Sequence, residues 1–296
     1  MSNPRSENSA GRAAVGVVGA GTMGVGVAQS LAEAGHPVVV VDPVHEALDD
    51  GPRKLRDGLR TARLLRRTQG AVPAAEVPGR IRWAPDTAAL DAVDFVIECA
   101  PERMVVKETV FKELDAVCLP DTVFASCTSA IPVATLAAHT RRPNRVLGTH
   151  FMNPVYLKDA VEVIRGPRSG DRALVATLSL LSGMGKRGHV VNDAPGFVSN
   201  RVLMPMVNDA AARVEAGTAD AETVDRIFQD CFGHAMGPLR TADLIGLDTI
   251  VDTLYVLLET TGDARYEPCS LLLELVRKGH RGRKSGRGFH VYGRRG

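Results

Sequence analysis

An α/β fold, a doubly wound parallel sheet followed by an all-helical C-terminal domain, is the class this sequence predicts, and three observations carry that expectation. Short apolar runs alternate with longer segments of helical period from Ala13 to His150, which is how parallel strands and their crossover helices read. A glycine-rich turn, Gly19-Ala20-Gly21-Thr22-Met23-Gly24, stands between the first run and the first helix. After Val190-Val191 the strand signals stop and helical patterning takes over.

Taken in order, Ala14 to Val18 reads as the first strand, the segment through Gln29 and Leu31 as a helix, and Val38 to Val41 as the second strand. The alternation resumes with Asp94 to Glu98, a helix from Lys107 to Val117, Thr122 to Ala125, a short helix after Pro132, and Arg145 to His150. From Pro195 onward, helices are separated by Gly217, Gly233, Gly237 and Gly262, and Leu244 to Leu258 forms an apolar helix that needs a face to bury against. The tail Arg281 to Phe289 is too rich in glycine and charge for a helix and is expected as an ordered loop. The expected domains are a disordered tail over residues 1–12, a dinucleotide-binding domain over 13–192 and a helical substrate and dimerisation domain over 193–296.

Composition excludes some classes. With 45% hydrophobic and 24% charged residues the chain is an ordinary globular one. A net charge of +2 is too small to imply nucleic acid or membrane as a bulk partner. Five cysteines, with no C-x-x-C pair, argue against a disulfide framework or a metal site and for reduced thiols. The first twelve residues lack an apolar signal core, and no run approaches the ~20 apolar residues of a membrane span. The expected compartment is the cytoplasm.

The glycine turn fits G-x-G-x-x-G between a strand and a helix. Gly19 allows the tight turn, Gly21 the close approach of backbone to a pyrophosphate, and Gly24 the packing of helix on strand. Thr22 and Met23 open the helix whose N-terminus would face the phosphates. Asp42 ends the second strand, where a carboxylate accepts hydrogen bonds from ribose hydroxyls and repels a 2′-phosphate. These features point to a Rossmann domain and to NAD rather than NADP; the competing reading is a glycine turn without a cofactor.

His150 closes a strand, in the place where open α/β sheets bind ligands. Twelve residues on, Glu162 interrupts the apolar run Val161-Glu162-Val163-Ile164. A carboxylate beside an imidazole fixes its tautomer and stabilises the imidazolium formed when it takes a proton. Alone, each has a plainer reading, a satisfied structural histidine and a solvated strand residue.

Over about Ala13 to Tyr292 the chain resembles the 3-hydroxyacyl-CoA dehydrogenases, including the bacterial 3-hydroxybutyryl-CoA dehydrogenases. The resemblance rests on the turn at 19–24, Pro101-Glu102 with Lys107, Thr128-Ser129, His150-Phe151-Met152-Asn153-Pro154 with Glu162, and the stretches 195–201, 237–249 and 282–289. It implies that His150 removes the proton of a 3-hydroxyl while the carbon gives a hydride to NAD, with Glu162 paired to His150. It implies further that Ser129 and Asn200 hydrogen-bond the reacting oxygen, that Asn153 shapes the pocket, that Glu102 and Lys107 lie near the cofactor, and that the enzyme is a homodimer. For Glu102 and Lys107 the plainer reading is a surface pair at a helix start. Two departures stand out. Cys127 occupies a position where many members carry asparagine, which bears on substrate or nicotinamide placement. Tyr156, Lys158 and Asp159 replace apolar residues of the short-chain fatty acyl enzymes and imply a more polar pocket.

Arg53, Arg56, Arg60, Arg63 and Arg67 recur at spacings of three and four, so one helix face is basic while Leu55, Leu59 and Ala62 fall on another. Such stripes are often merely solvated. As a binding surface this one suits an anionic carrier, either the phosphates of coenzyme A or an acidic acyl carrier protein. The substrate alternatives are a 3-hydroxyacyl-CoA, a glyceryl group on an acyl carrier protein as in polyketide extender-unit pathways, and a free sugar acid of the gulonate type. A non-catalytic NAD-binding protein is the alternative from another class.

Overall fold

The computed structural model describes residues 12–65 and 71–293. The tail expected over residues 1–12 and Arg67 of the basic stripe therefore lie outside the described residues, apart from Arg12. The chain divides into two compact units, one running to Thr128 and resuming over Val133–Asp193, the other comprising Ser129–Pro132 and the chain from Ala194.

The middle strands of the first unit, Val15–Val18, Phe95–Glu98, Val123–Ser126 and Val146–Phe151, are buried on both faces, which explains why they read as apolar runs. Its elements are β1 (Val15–Val18), α1 (Thr22–Glu33), β2 (Val38–Val41), α2 (His45–Leu65), β3 (Ile81–Ala84), β4 (Phe95–Glu98), α3 (Met104–Val117) and β5 (Val123–Ser126). There follow α4 (Val133–Ala137), β6 (Val146–Phe151), β7 (Ala160–Arg165), α5 (Asp171–Gly183) and β8 (Arg187–Asn192). They form one sheet in the order β3-β2-β1-β4-β5-β6-β7-β8. Val15, Val17, Leu31, Val40, Leu147 and Val163 are all without solvent contact in one core, and burying each such side chain contributes on the order of 1.5–3 kcal/mol.

The expectation of a parallel sheet needs one correction. β7 runs antiparallel to β6, with His150 paired to Glu162 in register, and β8 runs parallel to β7. The physical reason is the connection. Only eight residues join β6 to β7, too few for the crossover of a dozen or more that a parallel neighbour requires. β3 was not anticipated either, because Ile81-Arg82-Trp83-Ala84 has charge and aromatic character in place of a valine run.

The second unit is helical: α6 (Ser199–Glu215), α7 (Ala221–Phe232), α8 (Pro238–Ile245), α9 (Leu247–Thr261) and α10 (Ser270–Arg277). The single helix expected over Leu244 to Leu258 is interrupted at Gly246, whose φ of 110° and ψ of 124° leave the helical region. Leu247, Ile250, Leu254 and Leu257 are buried with Met204, Val207 and Leu239 inside this unit. That apolar face is therefore covered without a second subunit.

The glycine-rich tail folds into a short 3-10 turn, Arg283–Ser285, tied down by two buried carboxylates. Asp243 accepts from the Phe289 and His290 amides and the Tyr292 hydroxyl. Asp225 accepts from the Leu239 and Arg240 amides at the start of α8 and pairs with His290 Nε2 at 2.8 Å. Burial pushes the Asp243 carboxyl upward, opposed by the two tail amides and the Tyr292 hydroxyl. Among the described residues no helix is long and apolar enough to cross a membrane.

Candidate active site

The turn between β1 and α1 needs its glycines for three different reasons. Gly19 has φ of +104°, and a Cβ there would lie 2.7 Å from the Cys99 carbonyl oxygen. A Cβ on Gly24 would fall 1.8 Å from the Gly19 carbonyl oxygen, whereas one on Gly21 would meet nothing within 4 Å. The protein thus has no packing reason for Gly21, and its open side suits a ligand. Gly21 is also the N-cap of α1 and supplies no side-chain cap, so an anion can take the first amides of the helix. Thr22 is exposed beside it and Met23 half-buried.

Asp42 stands just past β2, where Oδ2 accepts from the Ala20 amide at 2.7 Å and Oδ1 from the Val44 amide at 2.9 Å. It lines a crevice of about 450 Å³ with Val41, Pro43, Thr87, Val105 and Val106. A largely apolar crevice with the fixed Asp42 carboxylate at the strand end, and Asp86 and Glu113 farther along its lining, fits the adenosine half of a dinucleotide.

Lys107 is not part of a surface pair. It is fully buried, with Nζ 2.8 and 3.0 Å from the two Glu98 oxygens and 3.4 Å from Glu102. Ser126 and the Ala100 amide also donate to Glu98, and Thr128 donates to Glu102 at 2.6 Å. Burial alone would lower the ammonium's pKa, but Glu98 and Glu102 outweigh it and the net shift is upward. Glu98 escaped the sequence reading because it looks like the last residue of an apolar strand; the acid within the run Phe95-Val96-Ile97-Glu98 was the available signal.

His150 and Glu162 project from the same face of the antiparallel pair β6 and β7. His150 Nδ1 lies 3.2 Å from Glu162 Oε2, with the two residues 6% and 9% exposed. A carboxylate can only accept, so Nδ1 donates and the basic lone pair of the neutral ring falls on Nε2. A base held by a buried acid at a strand end can take a proton from a hydroxyl.

Ser129 and Asn200 both belong to the second unit, where Asn200 Nδ2 donates to the Ser129 carbonyl at 2.8 Å. Asn153 is exposed and precedes Pro154 through a cis peptide. It lines a groove of about 210 Å³ with Thr22, Gln29, Lys54, Asp57 and Tyr156. Of the three polar departures only Tyr156 faces this groove; Lys158 and Asp159 are exposed and contribute their backbone carbonyls to Lys186 and Arg187. The buried Lys186, which also donates to the Val155 carbonyl at 2.7 Å, was not foreseen. It clamps the segment after His150, and its sequence, a lysine after glycine, gave no signal.

The basic stripe lies on α2, with Leu55 and Ala62 buried beneath it. Arg53 is engaged by Asp50 at 2.6 Å and Asp57 at 3.3 Å. The open part of the stripe is therefore Arg56, Arg60 and Arg63, all exposed.

Residues 14–194 match the NAD binding domain of 3-hydroxyacyl-CoA dehydrogenase, and residues 196–292 match its C-terminal domain. A probable 3-hydroxybutyryl-CoA dehydrogenase of Bacillus subtilis is 44% identical over 277 residues, spanning 93% of this chain and 96% of its own. The 3-hydroxybutyryl-CoA dehydrogenase of Bradyrhizobium diazoefficiens is 40% identical over 94% of each chain. Among solved structures, FadB2 of M. tuberculosis superposes with a TM-score of 0.90 at 38% identity, covering 96% of this chain and 100% of that one. The (S)-3-hydroxybutyryl-CoA dehydrogenase PaaH1 of Ralstonia eutropha gives 0.86 at 38% identity, covering 95% and 99%.

Proposed function

This chain belongs to the 3-hydroxyacyl-CoA dehydrogenase family, and we propose on that premise that His150 is the general base of an NAD-dependent oxidation of a 3-hydroxyacyl thioester, with 3-hydroxybutyryl-CoA as substrate. The pairing of His150 with Glu162 at 3.2 Å carries this reading. Nε2 of His150 takes the proton of the 3-hydroxyl, and the Glu162 carboxylate stabilises the imidazolium that results. Ser129 and Asn200 act as neutral donors to the reacting oxygen, and Asn153 shapes the pocket. NAD, when bound, supplies the hydride acceptor.

Gly19, Gly21, Thr22, Met23 and Gly24 hold the pyrophosphate and Asp42 the adenosine ribose. Glu102 and Lys107 border the nicotinamide ribose, with Lys107 fixed by Glu98. Residues 13–192 serve as the cofactor domain and 193–296 as the substrate and dimerisation domain. The test is NADH formation from NAD and 3-hydroxybutyryl-CoA by wild type and His150→Ala. Turnover in the wild type that is lost in the variant supports the assignment, and turnover retained in the variant overturns it.

A second reading concerns the carrier. Exposed Arg56, Arg60 and Arg63 on one face of α2 suit an acidic acyl carrier protein bearing the acyl or glyceryl group as well as the phosphates of coenzyme A. If the carrier protein docks there, replacing the three by alanine should raise KM for the protein-bound thioester far more than for the CoA ester. Equal effects would assign the ridge to CoA phosphates, and no effect on either would return it to solvent. A homodimer is supported by the exposed apolar side chains Ile227 and Phe232 of α7, and light scattering of the purified protein tests it.

A further inference from the structure

We propose that Cys99 and Cys127 form a redox-active dithiol, which a peroxide converts into an intramolecular disulfide beside the glycine turn. Both are free, and both are half-buried, so neither is sealed from solvent. Each lies one residue beyond the register pair Glu98 and Ser126 of the parallel strands β4 and β5. Neighbouring strands are about 4.8 Å apart, which falls within the ~4.4–6.8 Å Cα separation that a disulfide spans. Equivalent positions on adjacent strands send their side chains to the same face, and both cysteines pack against the same core cluster. No other pair of the five cysteines is placed in this way, since Cys118 is buried elsewhere under Arg142 and Leu90, Cys231 is exposed on α7, and Cys269 caps α10.

The surroundings give the two sulfurs different roles. Cys127 is held toward the thiolate by the Cys99 thiol first, against the cost of burial, and further by the Phe151 amide and the Lys107 ammonium. Cys99 is held protonated by the Cys127 side chain first, by burial, and by the negative charges of Cys127 and Glu98, with Lys107 opposing. A sulfur whose thiolate form is favoured, next to a thiol that keeps its proton more tightly, can attack with its resolving partner in place. The Cys127 thiolate attacks one oxygen of hydrogen peroxide, the O–O bond breaks, and hydroxide leaves as the sulfenic acid forms. Cys99 then loses its proton and attacks the Cys127 sulfur, the S–O bond breaks, and water leaves. Two thiols are oxidised, and one peroxide is reduced to two waters.

The backbone at this edge has no slack. The Cys99 carbonyl already sits where a Cβ on Gly19 would be 2.7 Å away, and Cys127 precedes the Thr128 that bonds Glu102. Loss of NADH formation on oxidation rests on the cofactor reading given above; formation of the disulfide does not.

The experiment uses full-length protein with the exposed Cys231 replaced by serine, treated with excess hydrogen peroxide, alkylated and digested without reduction. Expected are a single cross-linked peptide pair joining Cys99 to Cys127, the loss of two titratable thiols per chain, and activity that falls and returns with dithiothreitol. Adding Cys99→Ser should leave the starting activity intact but abolish the cross-link, and activity lost to excess peroxide should then fail to return, because the Cys127 sulfenic acid without a partner goes on to sulfinic acid. Absence of the Cys99–Cys127 peptide in the wild-type pair, or equal recovery in Cys99→Ser, overturns the proposal. A cross-link without loss of activity upholds the dithiol and counts against the cofactor placement at this edge.

Discussion

His150 and Glu162 face each other directly across the antiparallel β6–β7 pairing of the eight-stranded sheet, with Nδ1 and Oε2 3.2 Å apart. The proposed base and its orienter are thus fixed by backbone register. Replacing Glu162 by glutamine keeps the shape but removes the charge that stabilises the imidazolium. It should lower kcat by about 10²–10⁴, the range for losing a general-base function, while leaving the NAD dissociation constant within about twofold, a binding change of less than about 0.5 kcal/mol. Steady-state kinetics beside calorimetric NAD titration checks this; an unchanged kcat would mean that the pair is structural.

The contrast between Gly21 and Gly24 separates cofactor binding from packing. Gly24→Ala places a Cβ 1.8 Å from the Gly19 carbonyl and should cost about 1–3 kcal/mol or more of stability. Gly21→Ala meets no protein atom and should change stability by less than about 0.5 kcal/mol while weakening NAD binding severalfold. Denaturant unfolding and NAD titration of both variants suffice. Undiminished NAD affinity in Gly21→Ala would move the pyrophosphate away from this turn.

Glu98 and Lys107 make a fully buried ion pair. Lys107→Met leaves a buried carboxylate without its cation and should destabilise by about 3–5 kcal/mol. Adding Glu98→Gln should recover part of that loss, because the stranded charge is then gone. A double variant less stable than the sum of the singles would contradict a pair that acts as a unit.

Asp115 gives the pH dependence a definite sign. Burial raises its carboxyl pKa, but hydrogen bonds from Arg141 and Arg142 more than offset this and hold it below the ordinary 3.8. A depressed folded pKa contributes stability that is complete above the unfolded value and is lost as pH falls through the folded one. Wild type should therefore exceed Asp115→Asn in urea midpoint at neutral pH, and the gap should shrink as pH drops below about 4. A pH-independent gap would assign the effect to shape alone.

Legibility in the sequence followed the physics of each signal. The glycine turn, Asp42 and the doubly buried strands were readable because a ligand phosphate and a two-sided core each demand particular residues at particular places. His150 and Glu162 were readable as candidates, yet their register was not, since a short connection between two apolar runs does not by itself declare which residues align. For Lys107 the surface-pair alternative stays open in the sequence because a lysine's burial depends on a partner, and that partner, Glu98, belongs to another element. Gly246 was overlooked inside an apolar stretch, where hydrophobicity continues while the backbone turns.

The reversal between β6 and β7 also bears on how the molecule assembles. The other strand pairings in the sheet are parallel and must close long crossovers, a slow search in a folding chain. The pair that would handle the proton is closed over twelve residues, so segment 146–165 can acquire its geometry as a nascent hairpin before distant strands arrive. Pulse-labelled hydrogen exchange during refolding should find its amides protected ahead of those in β1 and β4; late protection would show that the hairpin waits for the sheet.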